Sequence, residues 1–134
     1  MLKLIVGNKG CGKTKLLLDA VRESLKTEHG NLVFIEHSEN LRPELSHKIR
    51  LIDASEYKIS SFDAFYGLVA GMCAGNYDIT NFFVDGILKT VGRDYDKLGE
   101  LFAKLDALPC EVDFLITVSE DMDKLPESVT KFAV

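Results

Sequence analysis

Gly7-Asn8-Lys9-Gly10-Cys11-Gly12-Lys13-Thr14 decides how this chain is read. The octapeptide is a complete G-x-x-x-x-G-K-[ST] pattern. Its context matters as much as its letters. Leu2 to Val6 before it is a short apolar run, which predicts a buried strand. Lys13 to Glu28 after it carries Leu17, Val21 and Leu25 on one face, which predicts a helix stopped at His29-Gly30-Asn31. A glycine-rich turn between a strand and a helix lets backbone N–H groups wrap around phosphate oxygens. The positive end of the helix dipole adds to the same field. In such a loop Lys13 would reach the β and γ phosphates of a nucleotide, and the Thr14 hydroxyl would hold Mg²⁺.

Working outward, the rest of the chain alternates strand and helix signals. Leu32–Glu36 and Ile49–Asp53 read as strands, with a polar, weakly helical stretch from Glu39 to Lys48 between them. Ser60 and Asp63 resemble a capping box opening a helix from Ser61 to about Ala74, with Phe62, Phe65, Leu68, Val69 and Met72 inward. Asn81–Asp85 is an apolar strand closed by a carboxylate. Asp94–Leu108 is an amphipathic helix ended by Pro109, and Val112–Val118 is a fifth strand. Ser128–Val134 suits a final strand, or a short helix opened by Pro126. This order predicts an α/β protein, a three-layer α/β/α sandwich around a mostly parallel sheet of five or six strands. Ligands then bind at the carboxyl ends of the strands.

Composition sets the outer limits. The chain has 134 residues, which predicts a single domain over residues 1–134. It holds 16 Lys+Arg against 21 Asp+Glu, a net charge of -5, which argues against bulk electrostatic gripping of nucleic acid. The three cysteines, Cys11, Cys73 and Cys110, have no paired spacing and predict no disulfide framework. No secretory leader or membrane-spanning run is visible, so a cytoplasmic protein is expected.

The octapeptide resembles the phosphate loop of P-loop nucleoside triphosphatases. The resemblance implies ATP as ligand and Mg²⁺ as cofactor. Gly7 to Thr14, with Lys15 and Thr117, would contact the nucleotide. Asp85 resembles the Walker B aspartate, which shares the metal with Thr14. Gly86 follows it, where many P-loop ATPases place a catalytic glutamate. In the RecA-like branch that acid follows the second strand instead. Here Glu36-His37-Ser38-Glu39-Asn40-Leu41-Arg42-Pro43 resembles that region, an acidic cluster followed by proline. Glu36 and Glu39 are the two candidates for activating water, and Glu36, nearer the strand end, is preferred. Thr117-Val118-Ser119 stands where RecA-like proteins place a γ-phosphate sensor. The branch implies the strand order 3-2-4-5-1, with the C-terminal segment or a second copy covering the exposed edge.

Other residues have plain readings. His29, His37 and His47 lack metal-ligand spacing. Arg42, Arg50 and Arg93 are surface arginines unless one stabilises phosphate charge. Cys11 is a small residue that fits the loop, with a thiol open to modification. Three functions stay open. One is a weak ATPase stimulated by a protein activator or by homo-oligomerisation. Another is a small-molecule kinase or transferase resembling thymidine kinases or cobalamin adenosyltransferases. The third is a switch that holds ATP without cleaving it.

Overall fold

A computed structural model describes residues 1–27 and 30–134. The predicted helix end at Glu28 and the His29 turn lie outside the described residues. β1 (Leu2–Gly7) leads through the glycine-rich loop into α1 (Lys13–Thr27). β2 (Asn31–Glu36) and β3 (Arg50–Asp53) follow, then α2 (Phe62–Gly75) and β4 (Ile79–Val84). Next come α3 (Ile87–Val91), α4 (Tyr95–Asp106), β5 (Asp113–Ser119) and α5 (Glu127–Thr130).

The five strands form one sheet in the order β1-β5-β4-β2-β3, and every pair is parallel. Read from the other edge, this is 3-2-4-5-1, the order expected above. β5 separates β1 from β4, pairing Gly7 with Ser119 on one side and Val84 with Ile116 on the other. The carboxyl ends of β1, β4 and β5 therefore open side by side.

Strand alternation splits the core into two faces. Phe34, Leu32 and Phe83 point to α1, where Leu17, Leu18 and Val21 cover them. Val33, Ile35, Phe82 and Phe114 point to the opposite face, which Phe65 and Val69 of α2 and Leu98 and Phe102 of α4 close. Phe82 and Phe114, on neighbouring strands, stack with ring centroids 5.3 Å apart.

Several local readings shift. The cap of α2 is Ser61, whose Oγ accepts from the Ala64 N–H, so the capping position is one residue later than Ser60. Asp94 caps α4 and accepts from the Lys97 N–H, as a helix N-terminus requires. The polar stretch after β2 forms only one 3-10 turn, Arg42–Glu44. Of the two forms expected for the C-terminal segment, the short helix is the one that forms; beyond it a single bridge, Leu4 to Ala133, stands in place of a sixth strand. Pro126 precedes α5, and the chain then runs along the open edge of β1. There the Leu4 N–H donates to the Phe132 carbonyl at 3.0 Å, and the Val134 N–H to the Leu4 carbonyl at 3.1 Å. Part of the edge is thereby paired. Among the described residues, no helix is long and apolar enough to cross a membrane.

Candidate functional site

A cleft of about 570 Å³ opens over the carboxyl ends of β1, β4 and β5. Lys9, Gly10, Gly12, Lys13 and Thr14 form one wall. Asp85, Gly86, Lys89 and Arg93 form another, and Glu39 and Ser119 complete the rim. Four basic side chains thus face two carboxylates in a chain whose net charge is -5. The local field favours an anion.

The glycine-rich loop is held by its own lysine. Lys13, only 6% exposed, donates from Nζ to the Asn8 carbonyl at 2.8 Å and lies 3.7 Å from the Cys11 Sγ. Among the described residues no carboxylate stands within ion-pair distance of it. A buried ammonium without a counter-ion is costly, and an anionic ligand in the cleft would supply one. Gly12 has φ +87, which a residue with a Cβ adopts only under strain, so the final glycine of the motif is a backbone requirement.

Asp85 sits one residue beyond β4 and is buried. Its Oδ2 accepts from the Thr14 hydroxyl at 3.1 Å, and its Oδ1 accepts from the Thr117 hydroxyl at 2.9 Å. Thr117 also accepts the Gly86 N–H at 2.7 Å. The first turn of α1 and the ends of β4 and β5 are thus tied by one polar cluster. The donor set, a carboxylate and a hydroxyl at the foot of a cationic cleft, fits a hard divalent ion such as Mg²⁺. Among the described residues no group of three or more His, Cys, Asp or Glu side chains gathers around a metal-sized space.

Gly86 explains its own presence. It has φ +69, and a Cβ there would stand 3.4 Å from the Lys89 Cδ. A glutamate at this position would be strained by the left-handed backbone.

The two candidate acids part company. Glu36 is 2% exposed and fully committed. Its Oε1 accepts the Asn40 N–H at 2.6 Å and its Oε2 the Leu41 N–H at 2.9 Å. It borders a different hollow, beside Arg42, Arg50 and Asp53. Glu39 lines the cleft and pairs with Lys89. The preference for Glu36 rested on its place at the strand end, which is where a buried carboxylate can best brace the following loop. Ser38 and Asn40, flanking Glu39, have φ of 58 and 55, uncommon for non-glycine residues. Asp53 fixes this bend, accepting the Ser38 N–H at 3.0 Å and the Ser55 hydroxyl at 2.6 Å. The Ser55 hydroxyl above all, with backbone N–H groups of Ser38 and Ser55, holds the Asp53 carboxyl below its ordinary value.

The remaining expected contacts spread out. The Asn8 amide donates to Asp121, beyond β5. Lys15 points to the outer face of α1 and pairs with Asp19 at 3.4 Å. Cys11 is exposed on the loop. Arg93 borders the cleft, with Nη1 3.1 Å from the Tyr95 hydroxyl and 3.4 Å from Glu120. The Tyr95 hydroxyl donates to Glu120, which raises the tyrosine's pKa and lowers the glutamate's. Lys89 and Asp121 are additions that motif spacing does not mark. The only sequence signal for Lys89 is a basic residue one helical turn beyond Asp85.

With the geometry in place, comparison with solved structures is informative. The chain is similar to the flagellar accessory protein FlaH from Methanocaldococcus jannaschii, with a TM-score of 0.60 and 19% sequence identity. The match covers 97% of this chain and 65% of FlaH, so this chain spans under two thirds of FlaH's length. Together with the strand order this settles the architecture. The fold is RecA-like. No protein-family model matches the sequence, and no curated protein matches it.

Proposed function

We propose that this chain binds a nucleoside triphosphate, ATP in the first instance, together with Mg²⁺, and hydrolyses it slowly without a stimulating partner. The observation that carries the reading is the bonding of Asp85, just beyond β4, to Thr14 at the start of α1 and to Thr117 of β5, with Lys13 lining the same cleft. The backbone of Gly10 to Thr14 would cradle the phosphates, with the N-terminus of α1 behind them. The Lys13 ammonium would turn from the Asn8 carbonyl to phosphate oxygen. Thr14 and Asp85 would hold Mg²⁺, which supplies charge to offset the phosphates and the leaving group. Thr117, already bonded to both Asp85 and the Gly86 N–H, would keep the carboxylate oriented. Glu39 is the side chain placed to accept a proton from attacking water, since Glu36 is occupied by the backbone of its own loop.

A second reading, a switch that binds ATP and leaves it intact, is favoured by one observation. Glu39 is tied to Lys89 across the cleft, and Gly86 leaves no acid beside Asp85. Stimulation by an activator protein or by self-association fits either reading. A titration of wild type and Lys13→Ala with Mg-ATP and Mg-ADP, with phosphate release measured in the same samples, tests both. Binding lost in Lys13→Ala supports the site, and turnover lost in Glu39→Gln supports hydrolysis over the switch.

A further inference from the structure

The cleft contains a cation that neither the phosphate-loop motif nor the aspartate after β4 accounts for. Lys89 lies on α3, and its aliphatic stem runs over Gly86. A Cβ added at Gly86 would stand 3.4 Å from Lys89 Cδ and 3.8 Å from Cγ and Cε. The stem thus packs over the Gly86 backbone at van der Waals distance. It carries the ammonium across the cleft to Glu39. The two side chains are 48% and 35% exposed, so the pair is weak and exchangeable. Glu39 is the less free of the two. Its backbone is bent between Ser38 and Asn40, both at positive φ, and that bend is fixed by Glu36 and Asp53. Lys89 carries its charge on a long stem with a strongly hydrated, half-exposed head.

We infer that Lys89 is a triphosphate-sensing residue that pairs with Glu39 when the cleft is empty and transfers to the terminal phosphate when a nucleoside triphosphate enters. This inference rests on the nucleotide reading above. The transfer does two things at once. It adds a third cation to the phosphate field of Lys13 and Lys9, and it releases the Glu39 carboxylate to face water. A diphosphate lacks the terminal group, leaves Lys89 on Glu39 and keeps the acid occupied. The lysine thus couples triphosphate recognition to availability of the base, with no domain or lid required.

The test is the ratio of ATP to ADP affinity, by equilibrium titration with Mg²⁺, for wild type, Lys89→Ala, Lys89→Arg and Glu39→Gln. Circular dichroism of each variant confirms folding. Lys89→Ala should weaken ATP about tenfold and ADP by less than about twofold, as expected for loss of one charge-assisted contact to the terminal phosphate. Lys89→Arg should restore the ratio. Glu39→Gln should tighten ATP severalfold, because Lys89 then has no competing carboxylate. An unchanged ATP to ADP ratio in Lys89→Ala, with both nucleotides still bound, would overturn the inference and leave the nucleotide site standing. Loosened ATP in Glu39→Gln would also overturn it. Failure of the wild type to bind either nucleotide would instead sink the underlying reading.

Discussion

The Thr14 hydroxyl and the Asp85 carboxylate, 71 residues apart in sequence, meet at 3.1 Å over the ends of β1 and β4. Thr14 stands in the first turn of α1, which follows β1, and Asp85 follows β4; β1 and β4 are not neighbours. β5 lies between, and its Thr117 bonds the same carboxylate from the other side at 2.9 Å. A carboxylate held by two hydroxyls, one from the first turn of α1 and one from β5, is oriented before any ligand enters. Its neighbour Lys13 is a buried cation facing the same cleft. Opposite charges held apart in this way suit a ligand that brings both phosphate and metal.

Thr117 should matter to stability as well as to binding. Thr117→Val removes the hydroxyl that accepts the buried Gly86 N–H and donates to Asp85. An unsatisfied buried donor costs about 1–3 kcal/mol. Chemical denaturation should show a loss in that range, and Thr117→Ser should recover most of it.

Gly86→Ala should destabilise through backbone strain, because φ is +69. The cost of that strain is about 1–2 kcal/mol. A thermal melt should fall by several degrees. An unchanged melting temperature would contradict the left-handed geometry at this turn.

The two glutamates should separate in one pair of variants. Glu36→Gln turns an amide N–H₂ toward the Asn40 or Leu41 N–H and should cost about 1–3 kcal/mol of stability. Glu39→Gln, at the cleft rim, should leave the melting temperature nearly unchanged and reduce turnover at least about a hundredfold, the usual worth of a general base. Equal turnover losses with equal stability losses would contradict this division of roles.

Thiol chemistry gives a pH-dependent check. Burial, aided by the neighbouring Cys110 thiol, pushes Cys73 up to about 12 from an ordinary 9.0. The folded chain then holds that proton more tightly than the unfolded chain across this window. The contribution of Cys73 to stability is whole below about 9 and is lost as pH rises toward about 12. At pH 8 an alkylating reagent should modify exposed Cys11 first and Cys73 last. Mg-ATP should protect Cys11, since the thiol sits on the loop that would wrap the phosphates.

The strands were legible because apolar runs ending in glycine or a carboxylate mark parallel strands, and their order followed from the resemblance to the RecA-like branch. Leu17 and Val21, or Leu98 and Leu105, mark helices by period alone. α3 was not legible. Five residues, Ile87–Val91, show too little periodicity to distinguish a helical turn from a loop. The C-terminal segment defeated a single assignment because a four-residue helix is followed at once by a lone bridge to the β1 edge, each too short to leave a period. At the site, motif spacing marked Lys13 and Thr14, and the resemblance to P-loop and RecA-like proteins marked Asp85 and Thr117. Spacing could not rank Glu36 against Glu39. Which acid faces the cleft depends on two non-glycine residues at positive φ and on a brace from Asp53, none of which has a sequence period.

The central claim is that Lys13 is the cation of a nucleotide site, and one titration addresses it most directly. Wild type and Lys13→Ala are titrated with ATP in the presence of Mg²⁺, after circular dichroism shows both folded. The geometry predicts saturable binding by the wild type and a loss of about 2 kcal/mol or more, roughly thirtyfold, in the variant, the usual result of removing one partner of a buried charge contact. Equal affinity of the two proteins, or no binding by a folded wild type, would contradict it.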